Sequence, residues 1–203
     1  MSLRPWNLAP QAVYSLAVYP KEAARSSLCF PRALNICTYV TPITLQPKRY
    51  AIALYTPSYT LSCLLECPEA DLVLHLLSRE QLPLVPVLGQ RSGWRFDKVD
   101  YLRRHGWLKI WNHRAVLTQT AAYFQLRLGE VREAGDHHLA IMDLVRAKGE
   151  RAAEDVLTTH HLIEQGVILK SRRARARKGD SSDLRVKARQ SRKVAWGEDI
   201  QQQ

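Results

Sequence analysis

The residues equipped for chemistry are gathered in a few short stretches of this chain. The most unusual is ALNICTYVTPITLQPKRYAIALY, Ala33 to Tyr55. There, two apolar, β-rich runs flank a link carrying Thr38, Thr41 and Thr44 together with Pro42 and Pro47. Hydroxyls and proline-fixed backbone on such a link can hold the polar edge of a ligand beside an apolar wall. An ordinary strand connection with turn prolines explains the same residues. A second stretch, Ser58-Tyr59-Thr60, stands just after Pro57 at the head of a leucine-patterned segment. Hydroxyls at a helix start either cap it or, with its free N–H groups, bind an anion. The spaced pair in CLLEC, Cys63 and Cys67, would need two further well-placed ligands to hold zinc, so no metal site is expected. No G-x-G-x-x-G, Walker loop, H-E-x-x-H or G-x-S-x-G occurs.

The elements that must position these groups are legible from pattern. AVYSLAVY reads as a first strand stopped by Pro20, and NICTYV and RYAIALY as strands on either side of the threonine link. PSYTLSCLLEC reads as a short helix. ADLVLHLLS, apolar almost throughout, reads as a strand buried on both faces. REQLPLVPVLG is expected as a helix weakened by Pro86. RFDKVDYLRRHG is a stronger helix, with Asp97 at its head and Gly106 just past its end. YFQLRLGEVRE and HHLAIMDLVRA form a hairpin around Ala134-Gly135-Asp136, and GERAAEDVLTTHHLIEQG is expected as a final amphipathic helix. The order is not a βαβ alternation. It predicts a mostly β, α+β fold: an antiparallel barrel with peripheral helices and a polar, threonine-rich rim.

Composition bounds the rest. The chain has 203 residues, 46% of them hydrophobic, enough for one domain with a sizeable core. Its four cysteines do not suggest a disulfide framework. No long uncharged apolar run predicts a transmembrane helix, and the N-terminus lacks a secretory pattern, so a soluble cytoplasmic protein is expected. Of the net charge of +11, +9 comes from Lys170 to Lys193. The body, residues 1–169, is much closer to neutral at +4, and residues 170–203 read as a basic, disordered tail. That tail suits nucleic acid, an acidic protein or an anionic membrane surface, or serves only to solubilise.

Four quoted segments, in order, resemble the flavin reductase-like family, the FMN-binding split β-barrels. They are Asn35-Ile36-Cys37-Thr38 with Tyr39-Val40-Thr41-Pro42-Ile43-Thr44, then TPSYTLSCLL, then LGQRSGWRFDKVDYL, then GEVREAGDHHLAIMDLV. The resemblance covers about residues 30–146. It implies a flavin-binding split barrel, a homodimer with the flavin near the subunit interface, and hydride transfer from NAD(P)H to flavin. FMN is the implied cofactor, with FAD as the larger alternative and NAD(P)H as co-substrate. Carried onto this chain, it places Asn35, Cys37, Thr38, Tyr39, Val40 and Thr41 along the isoalloxazine ring. Ser58, Tyr59 and Thr60 fall at the phosphate, and Arg91 and Ser92 near the phosphate or ribityl chain. His137 falls near the nicotinamide or the flavin face. Outside the resemblance, a solvated loop explains Arg91 and Ser92, and a hairpin-end histidine explains His137. A flavin-binding scaffold without turnover, recruited through the tail, and a basic-tailed nucleic-acid module are the rival readings.

Overall fold

The computed structural model describes residues 9–20 and 28–168. The tail at 170–203 and the partner expectation attached to it lie outside the described residues. Nine strands dominate the described residues: β1 Tyr14–Tyr19, β2 Ala33–Cys37, β3 Val40–Thr44, β4 Arg49–Tyr55, β5 Asp71–Leu76, β6 Leu108–Trp111, β7 Arg114–Leu117, β8 Ala122–Ala134 and β9 His137–Gly149. Seven form one antiparallel sheet in the order β2-β1-β5-β8-β9-β4-β3, and β6 and β7 form a separate hairpin. The two edge strands, β2 and β3, are consecutive in the chain. The expected antiparallel split barrel is therefore the fold, and its open edges meet at Thr38 and Tyr39.

β1 and β5 are buried on both faces, as the apolar run at 70–78 predicts. Leu16, Val18, Leu72 and Leu74 join Ile52, Leu54, Leu61, Ala140 and Met142 in one core. Ala17, Tyr19, Val73 and Leu77 join Leu84, Leu88, Leu102, Val116 and Leu117 in a second, under the β6–β7 hairpin. Two cores against one sheet explain the continuous apolar character of these central strands.

Helix α1, Tyr59–Glu66, starts where expected. Ser58 caps it, its hydroxyl accepting from Leu61 N at 3.2 Å. Helix α2, Lys98–Arg104, is capped by Asp97, whose carboxylate accepts from Asp100 N at 2.9 Å. Elsewhere the structure departs from the sequence pattern. NICTYV is not one strand: the chain breaks at Thr38-Tyr39 to pass from one sheet edge to the other. The single helix expected over 79–89 is a 3₁₀ turn, Arg79–Leu84, followed by a π turn, Pro86–Gln90, because Pro83 and Pro86 remove the donors a regular helix needs. The final helix shrinks to α3, Thr159–Glu164. β9 runs on to Gly149 against β8, and Leu157 is held extended, its N–H donating to Leu77 O and its carbonyl accepting from Val13 N, each at 2.9 Å. Tertiary pairing of a fully buried Leu157 outweighs local helix preference there. The β6–β7 hairpin went unread in the sequence. Its turn uses Asn112 and His113, both at positive φ (49° and 62°), in place of the usual Asn-Gly signal.

Candidate functional site

Alternation along β4 prepares a flat surface. Ile52 and Leu54 point into the barrel, while Ala51 and Ala53 on the opposite face carry only methyl groups. β3 and β9 extend that face, with Thr41 opposite Ala51 and Leu139 opposite Ala53. Thr38, Tyr39, Val40, Thr41, Ala51, Ala53 and Leu139 line a cavity of about 730 Å³, with Thr159 and Ile163 of α3 on its other side. Small side chains under a polar threonine edge suit a planar, amphipathic ring. Ala51 and Ala53 were not singled out from the sequence, although the alternation of large and small residues in YAIALY marks them.

A second cavity, about 330 Å³, lies at the head of α1. Asn35, Ser58, Tyr59, Thr60, Arg91 and Ser92 all line it, so the structure brings together residues up to 57 positions apart in sequence. Arg91 stands 4.3 Å from the centre of the Phe96 ring. The floor includes Lys98, which sequence reasoning passed over. Its side chain is 7% exposed, and its Nζ donates to Leu34 O at 2.9 Å and to Leu88 O at 2.5 Å. An ammonium has three protons, so these two bonds leave one for a ligand. Burial pulls the Lys98 pKa down to about 8. The signal available in the sequence was a lysine four residues from Leu102 on the apolar face of a short helix.

His137 stands between the two cavities. It pairs with Tyr55 across β4 and β9. Its ring lies 5.6 Å from the Tyr55 ring, which borders the smaller cavity, and 5.8 Å from the Tyr39 ring, which borders the larger. Nδ1 donates to the Asp136 carboxylate at 2.6 Å, leaving Nε2 as the nitrogen for a ligand. Hydrogen bonding to His137 holds the Asp136 carboxyl below its ordinary range. Cys37 lines neither cavity. It is 4% exposed, and its thiol donates to Asn35 Oδ1 at 3.4 Å. Desolvation pushes its pKa up to about 12, so it remains a thiol.

A family model described as a flavin reductase like domain matches residues 20–162. Among solved structures, the fold is similar to BorF, the flavin reductase component of a bacterial two-component tryptophan halogenase, with a TM-score of 0.61, 19% identity, and 75% of this chain and 88% of that one covered. It is similar to an FMN-binding protein from Thermus thermophilus, with a TM-score of 0.57, 21% identity, and 72% and 75% covered. It is also similar to the styrene monooxygenase flavin reductase of Pseudomonas putida S12, with a TM-score of 0.58, 16% identity, and 74% and 86% covered. No curated protein sequence matches.

Proposed function

Because this chain belongs to the flavin reductase-like family, we propose that it is a flavin reductase that takes its electrons from a reduced nicotinamide coenzyme. The observation that carries this reading is the pairing of the alanine-floored, threonine-edged cavity with the cation-bearing one, joined through Tyr39, His137 and Tyr55. The residues fit a flavin. Ala51 and Ala53 leave room for a flat ring, and Thr38 and Thr41 offer hydroxyls to its polar edge. Ser58, Thr60, Arg91, Ser92 and the spare proton of Lys98 suit a phosphate at the α1 head.

Bound flavin supplies the electron-accepting chemistry itself. The chain's residues bind and orient. Lys98 and Arg91 hold the negative end, and the methyl floor excludes water beneath the ring. Asp136 fixes the His137 ring, so that its Nε2 meets a polar group of the nicotinamide side. Tyr39 and Leu139, which line the larger cavity, are exposed, and so are Ile43 on the edge strand β3 and Leu45 just after it. This supports a homodimer in which a second copy covers the larger cavity.

The test is anaerobic. Purified protein is reconstituted with flavin and mixed with NADH or NADPH, and the visible flavin band is followed. Bleaching by either coenzyme is expected, with His137→Ala slowing it about 10–100-fold while flavin affinity stays the same. A chain that binds no flavin sinks the proposal. A bound flavin that stays oxidised selects the scaffold reading, which the charge of residues 170–193 favours.

A further inference from the structure

A third cavity of about 500 Å³ adjoins the smaller flavin cavity, and the two share Leu34, Tyr59, Gly93 and Lys98 as lining. Its own residues differ in kind: Arg32, Trp94, Arg95 and Phe96 add two guanidinium groups and two aromatic rings. Trp94 is 59% exposed, and its indole is braced by the Tyr59 ring, 4.8 Å away and inclined by 66°. A large exposed aromatic held in place at the mouth of a cavity is a stacking platform for a nucleobase. The cations divide the work. Arg32 is committed to Glu66 at 2.6 Å, and hydrogen bonds to Tyr59 and then Glu66 keep it charged. Arg95 is exposed and makes no ion pair among the described residues. Asp97, the acid in the lining, is engaged in capping α2. An unpaired guanidinium beside a platform indole, next to the phosphate end of the flavin cavity, matches a phosphate followed by a base.

On the reading that the smaller cavity holds a flavin phosphate, we infer that this third cavity is an adenylate subsite. It is filled by the adenosine-phosphate half of a flavin dinucleotide, so that this chain takes FAD in preference to FMN. The adenine lies against Trp94, and the second phosphate meets Arg95. A mononucleotide ends at Lys98 and Arg91 and leaves this cavity to solvent.

The test is a titration of the full chain with FMN and with FAD, read by flavin fluorescence quenching and by calorimetry, independent of turnover. FAD is expected to bind about 10–100-fold more tightly than FMN, the size of a stacked base plus a charge-assisted contact. Trp94→Ala and Arg95→Ala are each expected to remove most of that difference while leaving the FMN constant unchanged. Trp94→Phe should restore part of it. Equal constants for FMN and FAD in the unaltered chain overturn the inference, as does an equal loss for both flavins in the variants. A raised KM for NADH with an unchanged FAD-to-FMN ratio also overturns it, because the adenylate in the cavity then belongs to the nicotinamide coenzyme. Binding of neither flavin overturns the flavin reading itself, an outcome distinct from these.

Discussion

Gly93 packs so closely on Tyr59 that a β-carbon added to the glycine would stand 2.5 Å from Tyr59 Cδ1 and 3.1 Å from its Cβ. The contact ties the loop carrying Arg91, Ser92 and Trp94 to the first residue of α1. It thereby sets the width of the cavity that Ser58 and Arg91 line together. The stem of Tyr59 cannot swing aside as a long chain's tip would, so any added methyl must move the loop.

Gly93→Ala is therefore expected to weaken flavin binding by about tenfold, ~1.4 kcal/mol out of the ~1–3 kcal/mol that overpacking costs. Calorimetric titration checks this. An unchanged flavin constant in a folded Gly93→Ala protein would show that the loop position does not govern the site.

The floor of the larger cavity gives the second expectation. Ala53→Leu adds bulk on the outward face of β4, where no core is disturbed, so stability should change by only about 0.5 kcal/mol. Flavin affinity should nevertheless fall by tenfold or more, about 1.4 kcal/mol. Ile52→Ala, one residue away but inside the barrel, should do the reverse. It should destabilise by about 2–5 kcal/mol and leave the affinity of the surviving folded protein nearly intact. Chemical denaturation and flavin titration on the same two variants separate the faces.

Lys98 predicts a pH dependence. Its pKa is lowered to about 8 by burial, so the ammonium proposed to hold the flavin phosphate is lost as pH rises through about 8. Affinity for a phosphate-bearing flavin should fall from pH ~7 to ~9, whereas riboflavin, which has no phosphate, should bind equally at both. Lys98→Met should flatten the curve at the weaker level. For stability the sign is opposite. The unfolded lysine keeps its proton to higher pH, so between about 8 and the ordinary lysine value of 10.5 the chain gains stability from this group as pH rises. A phosphate-flavin affinity that does not change with pH would remove Lys98 from the site.

His75 predicts behaviour in acid. It is fully buried on β5. Its Nδ1 donates to Ser15 O at 3.0 Å, and its Nε2 accepts from Leu117 N at 3.3 Å, so both bonds are made by the neutral ring. Desolvation, only partly opposed by the Ser15 bond, lowers its pKa from 6.5 to about 4. A lowered histidine favours folding fully above 6.5 and progressively less as pH drops towards 4, because only the unfolded ring takes up the proton. The loss across that window is ~3 kcal/mol, at about 1.36 kcal/mol per unit. Urea denaturation at about pH 7 and pH 4.5 should show it in the parent chain. His75→Gln should be less stable at neutral pH and less sensitive to acid. Equal acid slopes in the two would assign the loss to other groups.

Much of this architecture is legible in linear order because the cause is local. Ser58 and Asp97 cap helices from positions that any chain would recognise, Gly135 (φ 69°) closes the β8–β9 hairpin, and the apolar run at β5 announces a strand buried twice. What escaped was decided at a distance. Leu157 is extended because two strand ends need its backbone, and the β6–β7 hairpin turns on Asn112-His113 because the second core needs Val116 and Leu117 inside.

The candidate site divides along the same line. The types and order of Asn35, Thr38, Thr41, Ser58, Arg91 and His137 belong to the sequence, since hydroxyls, a guanidinium and an imidazole carry their chemistry wherever they are placed. Tertiary structure alone decided that Thr38 and Thr41 face one cavity while Asn35, Ser58 and Arg91 face another, with His137 between them. It also turned Cys37 into the core and Lys98 onto a cavity floor. The reason is the period of a pleated strand. Neighbouring residues leave a barrel wall in opposite directions, and which direction meets a ligand depends on strands that the local sequence does not contain.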